Sequence, residues 1–194
     1  MNHIGLECRT PVTWLRNRTA ESGVKVTMSY EMVLNIVEGD LLDQKVDAIV
    51  NTWNRNVIPW WLLWPQGVSG AIKRRAGLSP FRELGYRPLS LGDARLTSAG
   101  RLPFKGIIHV AGIDLLWRAS PHSVAQSAIS ACELAHGEGY THIAIPVIGA
   151  GSGGLSEEDA LMYLLNALRT LSYSLEVTIV RFKVKGKVGV TVRP

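Results

Sequence analysis

Four groups of residues in this 194-residue chain have types and spacings that suit chemistry: Gly39-Asp40, the amides Asn51 and Asn54, the run Gly149-Ala150-Gly151-Ser152-Gly153-Gly154, and Phe182 with basic neighbours. A carboxylate accepts hydrogen bonds, a carboxamide donates and accepts, and an aromatic ring offers a flat apolar face. Glycines without side chains let a backbone turn tightly and present successive N–H groups to phosphate oxygens. The combination suits a polar ligand with a base, a ribose and phosphates. Each part also has a local reading: Asp40 as a turn or helix-cap residue, the two amides as braces of their own loops, and 149–154 as a Gly-rich surface turn. The glycine run lies late in the chain with no acidic ribose reader after it, and it lacks the Lys-Ser/Thr ending of a P-loop.

These residues must be held by something, and the apolar pattern supplies it. Strands are predicted from Met32 through a Gly-Asp ending, over Val46–Asn51, Gly92–Thr97, Gly106–Val110, Thr141–Pro146 and Leu175–Phe182, with a further one over Val188–Val192. Near-continuous apolar runs such as VDAIV and GIIHV suit strands covered on both faces. Helices are predicted over Val68–Gly77, with Ser69 as cap and Gly77 as stop, over Pro121–His136, and over Ser156–Leu171, whose first turn carries Glu157, Glu158 and Asp159. Alternating strands and helices imply one α/β domain over residues 31–182, preceded by an N-terminal arm (1–30) and followed by a basic strand or tail (183–194). In open α/β sheets ligands bind beyond the carboxyl ends of strands, where Asp40, the amides, the glycine run and Phe182 all fall.

Composition narrows the function classes. A hydrophobic fraction of 46% with 19% charged residues is globular and excludes collagen-like or wholly disordered chains. The net charge of +5 is concentrated at the ends, with four basic against two acidic groups in residues 1–30 and five against one in 171–194. Nucleic acid is therefore the less favoured partner, and Arg181, Lys183, Lys185 and Lys187 read as well as a protected edge strand. Cys8 and Cys132 form neither a disulfide framework nor a zinc motif, and no apolar stretch approaches the ~18 residues of a membrane span. A cytoplasmic protein without integral membrane association is expected.

The segment Val57–Trp64, VIPWWLLW, holds Trp60, Trp61 and Trp64. It either plugs a satellite core against the N-terminal arm or forms an apolar lip that shapes the far end of a ligand cleft or accepts a partner. His109, within an apolar strand, reads as a core histidine that needs a buried partner, and Cys132 as packing.

The phrases VEGDLL (37–42), VDAIVNTWN (46–54), GVSGAIKRRAG (67–77), LGDARLTSAGRLPFKGIIHVAG (91–112) and IAIPVIGAGSGGLSEEDA (143–160) run in one order over roughly three quarters of the chain. Together they resemble the macrodomains, which bind ADP-ribose. The resemblance implies a three-layer α/β/α sandwich with a mixed central sheet and an ADP-ribose cleft at the strand ends. It implies that Asp40 accepts from the adenine amino group, that the backbone at Leu41 helps hold the base, and that Phe182 lies near adenine. By the same resemblance Asn54 contacts the distal ribose, Asn51 braces the loop, and Gly149, Ala150, Gly151, Ser152, Gly153 and Gly154 wrap the diphosphate. Gly67 and Val68 match a glycine-valine pair that, in a hydrolase subgroup, precedes an aspartate positioning water; this chain has Ser69 there. A serine can hydrogen-bond water but brings no negative charge. Asn54 and Ser69 are thus the candidate catalytic residues for weak or absent hydrolysis of an ADP-ribosyl ester. ADP-ribose or an ADP-ribosylated protein is the implied ligand, with no cofactor and no metal. The competing reading is a macrodomain-fold protein that uses its tryptophan segment or basic terminal strand to bind protein or nucleic acid.

Overall fold

A computed structural model describes residues 32–55, 57, 62 and 67–182. The N-terminal arm, the tryptophans at 60, 61 and 64, and the basic segment 183–194 with its predicted strand lie outside the described residues. Six strands form one sheet: β1 (Val33–Gly39), β2 (Ala48–Trp53), β3 (Ala94–Thr97), β4 (Gly106–Ala111), β5 (His142–Pro146) and β6 (Glu176–Phe182), in the order β1-β6-β5-β2-β4-β3. All neighbours are parallel except β3, which pairs antiparallel with β4 at the edge. The sheet is mixed, as expected.

Strand alternation explains why both faces need cover. On one face Ala48, Val50, Ile108, Val110, Ile143, Ile145, Val177 and Ile179 pack on α3 (Pro121–Gly137) and α4 (Glu157–Leu168), through Val124, Ala128, Ala131, Leu164 and Leu168. On the other, Ile49, Trp53, Ile107, Ala144 and Val180 pack on α1 (Gly67–Ala76) and α2 (Ser79–Leu84), through Ile72, Ala76, Phe81 and Leu84. Leu41 and Leu42, in a 3₁₀ turn after β1, join that second core. The result is the three-layer sandwich that two-sided apolar strands require.

Local chemistry sets the element ends. Ser120 accepts from the Ser123 N–H, and the Ser123 side chain accepts in return from the Ser120 N–H, which closes α3's first turn as a capping box. Ser156 caps α4 by accepting from the Asp159 N–H.

Several boundaries shift from expectation, and one helix is added. Helix α1 begins at Gly67, so Ser69 is not its cap but lies inside the first turn. Strand β2 starts at Ala48 and runs on to Trp53, past the expected end at Asn51, so Asn51 lies inside the strand and only Asn54 follows it. Helix α2 is absent from the sequence reading; its Ser79-Pro80 start is a helix-entry pattern, but six residues are too few for apolar periodicity to register.

Candidate functional site

At the carboxyl end of β1, Gly39 pairs with Phe182, the last residue of β6, so Asp40 and the Phe182 ring start from adjacent strand ends. Phe182 is 72% exposed. The Asp40 carboxylate has two roles: Oδ1 accepts from the Leu42 N–H at 2.9 Å and so caps the 3₁₀ turn, while Oδ2 lies 3.2 Å from Nη1 of Arg75 on α1. The cap reading and the acceptor reading of Asp40 therefore coexist on its two oxygens. No local spacing in the sequence connects Arg75 with this carboxylate 35 residues earlier.

The glycine run follows β5, the strand beside β6. Gly149 has φ +92° and Gly154 φ +75°, left-handed conformations that favour glycine. The loop is tied at its ends: the Leu155 N–H donates to the Gly149 carbonyl, and the Ala119 N–H donates to that of Gly153 at 2.9 Å. The backbone N–H groups of Gly151, Ser152 and Gly153 have no acceptor among the described residues. Successive unpaired N–H groups in a turn form a concavity suited to anions. The two central glycines are not equivalent. A Cβ on Gly151 would meet nothing within 4 Å, whereas one on Gly153 would lie 2.7 Å from both the Ala119 Cβ and the Gly149 carbonyl oxygen.

Next to β5 comes β2, with half-buried Asn54 one residue past its end. Asn51, fully buried, faces α1: its Oδ1 accepts from the Ser69 hydroxyl at 2.8 Å, and its Nδ2 lies 3.0 Å from Nδ1 of His109 on β4. Nε2 of His109 lies 2.9 Å from Oγ1 of Thr97 on β3. Because the Asn51 amide presents a donor, Nδ1 accepts and the ring proton sits on Nε2. Burial, with Arg95 as a second cause, pushes the histidine pKa down to about 3. His109 is thus the expected core histidine, and Asn51 braces α1 and β4. The Ser69 hydroxyl is also 3.2 Å from the Thr52 carbonyl, which binds this serine into the end of β2. On the next turn of α1 the Lys73 ammonium lies 5.1 Å above the Trp53 ring and 4.9 Å from that of Phe81, and burial lowers its pKa.

Among the described residues no group of three His, Cys, Asp or Glu side chains is placed to hold a metal ion.

A model of the Macro domain family matches residues 50–164. The chain belongs to this family. Among similar proteins, an O-acetyl-ADP-ribose deacetylase of Citrobacter rodentium is 34% identical over 146 residues, covering 70% of this chain and 77% of its own length. A macro domain-containing protein of Listeria monocytogenes is 33% identical over 165 residues, covering 78% and 89%. The solved macrodomain of Oceanobacillus iheyensis with ADP superposes with a TM-score of 0.65 at 28% identity, covering 77% of this chain and 83% of that one. A Trypanosoma brucei macrodomain in complex with ADP-ribose gives 0.65 at 25% identity, covering 77% and 63%. The macrodomain fold is therefore shared across the sandwich described above.

Proposed function

We propose that the carboxyl end of the sheet binds ADP-ribose, free or attached to protein. The run of three unpaired N–H groups at Gly151, Ser152 and Gly153 carries this reading, because its strand stands between two different polar ends. On one side are Asp40 and Phe182, an acceptor and a ring suited to adenine. On the other are Asn54, Gly67 and Val68, at the end of β2 and the start of α1 and suited to a second ribose. From β1 to β2 is three strand spacings, about 14 Å, room for a base, a diphosphate and a second sugar side by side. In this arrangement Asp40 accepts from the adenine amino group, the Leu41 backbone faces the base, and the loop 149–154 (Gly149, Ala150, Gly151, Ser152, Gly153, Gly154) neutralises the diphosphate through N–H groups instead of a cation. The macrodomains bound to ADP and ADP-ribose support it.

Ester hydrolysis is the finer question, raised by the deacetylase relative. The reaction needs a water near the anomeric carbon of the distal ribose and stabilisation of the positive charge that develops there. Asn54 is suited to hold the ribose. Ser69 supplies no charge, and its single proton is engaged by Asn51 and the Thr52 carbonyl. The proposed activity is binding with weak or absent hydrolysis. Its setting is the cytoplasm, where a reduced Cys132 thiol, buried and pushed up to about 12, stays inert. The binding unit is residues 31–182, with the arm 1–30 and the segment 183–194 as additions.

Titration calorimetry with ADP-ribose, with and without a chelator, tests the site. Saturable, metal-independent binding is expected, and no heat at hundreds of micromolar ligand refutes it. Wild type, Asn54→Ala and Ser69→Asp assayed together on glutamate-linked mono-ADP-ribosylated protein test catalysis. Rapid wild-type release that Asn54→Ala abolishes would overturn the preference for a binder.

A further inference from the structure

We infer that Arg75 widens the base specificity of the cleft, so that it accepts a 6-oxopurine (hypoxanthine) diphosphoribose alongside the 6-aminopurine one. This rests on the ADP-ribose reading above and concerns only its base end.

The two purines present opposite polar edges. Adenine shows a donor at its 6-amino group beside an acceptor at N1; hypoxanthine reverses the pair, with an acceptor at O6 and a donor at N1–H. A lone carboxylate accepts but cannot donate, so it serves the first and repels the carbonyl of the second. Asp40 is not a lone carboxylate. Its Oδ1 is engaged by the Leu42 N–H, and the Arg75 guanidinium lies against Oδ2 at 3.2 Å. The site therefore presents an acceptor with a donor directly beside it. Such a pair can meet either substituent at position 6 without turning the base: Asp40 accepts from the 6-amino group of adenine, and Arg75 donates its remaining Nη1 N–H to O6 of hypoxanthine.

Two features keep this donor in place and available. Nη2 of Arg75 donates to Asp43 Oδ1 at 2.9 Å and lies 3.4 Å from the Leu42 carbonyl, so the guanidinium is anchored through a nitrogen other than the one facing Asp40. Those contacts and the one to Asp40 occupy three of five N–H donors, which leaves a second N–H on Nη1 with no acceptor among the described residues. Both side chains of the pair are open to an incoming ligand, 44% exposed for Arg75 and 36% for Asp40. Phe182 stands on the adjacent strand end, and a ring face accepts either purine.

The test is calorimetry on the full chain with ADP-ribose and with inosine diphosphoribose, for wild type, Arg75→Ala and Arg75→Met, the last keeping much of the aliphatic stem. Wild type is expected to bind the two ligands within about tenfold of each other, a gap of one modest hydrogen bond. Both variants are expected to hold ADP-ribose within about threefold while losing about thirtyfold or more for the inosine ligand, the scale of a charged donor removed from an acceptor. Wild type that binds ADP-ribose but takes the inosine ligand more than about a hundredfold more weakly overturns the inference alone. An equal loss of both ligands in the variants does the same, because it would make Arg75 a mere positioner of Asp40. Wild type that binds neither ligand overturns the parent reading and this inference with it.

Discussion

Asn51 and Asn54 are the same residue type three positions apart, yet the fold buries the first fully and the second only by half. Asn51 is fully buried and joins Ser69 to His109, and His109 continues the chain of hydrogen bonds to Thr97. A proton added to His109 Nδ1 would face the Asn51 donor, so the folded protein resists it. The sign follows: the unfolded ring titrates near 6.5 and the folded one near 3, so the unfolded state binds more protons between those values. Full stability is present above about pH 6.5 and falls as pH drops through that window, by up to about 1.4 kcal/mol per pH unit from this group. Urea unfolding at pH 7, 5 and 4 should show a steeper loss for wild type than for His109→Gln. Parallel slopes would remove the histidine as the cause. At Asp40 one oxygen caps the 3₁₀ turn and the other faces Arg75. Asp40→Asn keeps an oxygen for the Leu42 N–H while losing the charge, and should weaken ADP-ribose by about 2 kcal/mol but ribose 5-phosphate little. Equal weakening of both ligands would mean that Asp40 does not contact the base.

The loop between β5 and α4 makes its argument as an element. Nothing in the sequence distinguishes a valine at Gly151 from one at Gly153. The structure divides them, because Gly153 packs against Ala119 and against the loop's own Gly149. Gly153→Val should therefore lose stability, by about 1–3 kcal/mol for overpacking, as well as ligand. Gly151→Val, in open space, should melt with wild type and lose ADP-ribose binding. Thermal unfolding beside calorimetry separates the two, and a folded Gly151→Val with unchanged affinity would remove the loop from the site. At the start of α1, Ser69 is held by the end of β2. Ser69→Asp is then a structural as well as a catalytic change: a carboxylate facing the Asn51 oxygen would be repelled unless that amide turns over, which would set its oxygen towards His109. Increased ester turnover is expected only if the aspartate swings towards the cleft, and an unfolding midpoint measured with the rate distinguishes the two.

At the scale of the whole molecule, one sheet of the described residues carries two cores, and the strands and helices described as contributing to them lie between Val33 and Phe182. A chain cut to residues 31–182 should unfold in one cooperative step and bind ADP-ribose as the full chain does. Failure to fold would show that the ends supply part of the core. Edge strand β1 exposes Val33 and Ile36, so that is where such a dependence would arise. No helix of the described residues is long and apolar enough to cross a membrane.

Much of this was legible without coordinates, for a physical reason. Runs such as AIVN and GIIHVA are apolar at consecutive positions, a pattern that only a strand covered on both faces satisfies, and that implies helices on either side. Glycine clusters and a Gly-Asp ending mark turns through backbone conformation, which is a local property. The order β1-β6-β5-β2-β4-β3 is not local: it depends on which strands find each other across more than a hundred residues, as Gly39 does with Phe182. That pairing decides which strand ends stand side by side. Tertiary packing also separates Asn51 from Asn54, draws Ser69 into a brace, and brings Arg75 to Asp40, because each of these contacts joins residues whose spacing along the chain carries no trace of their distance in space.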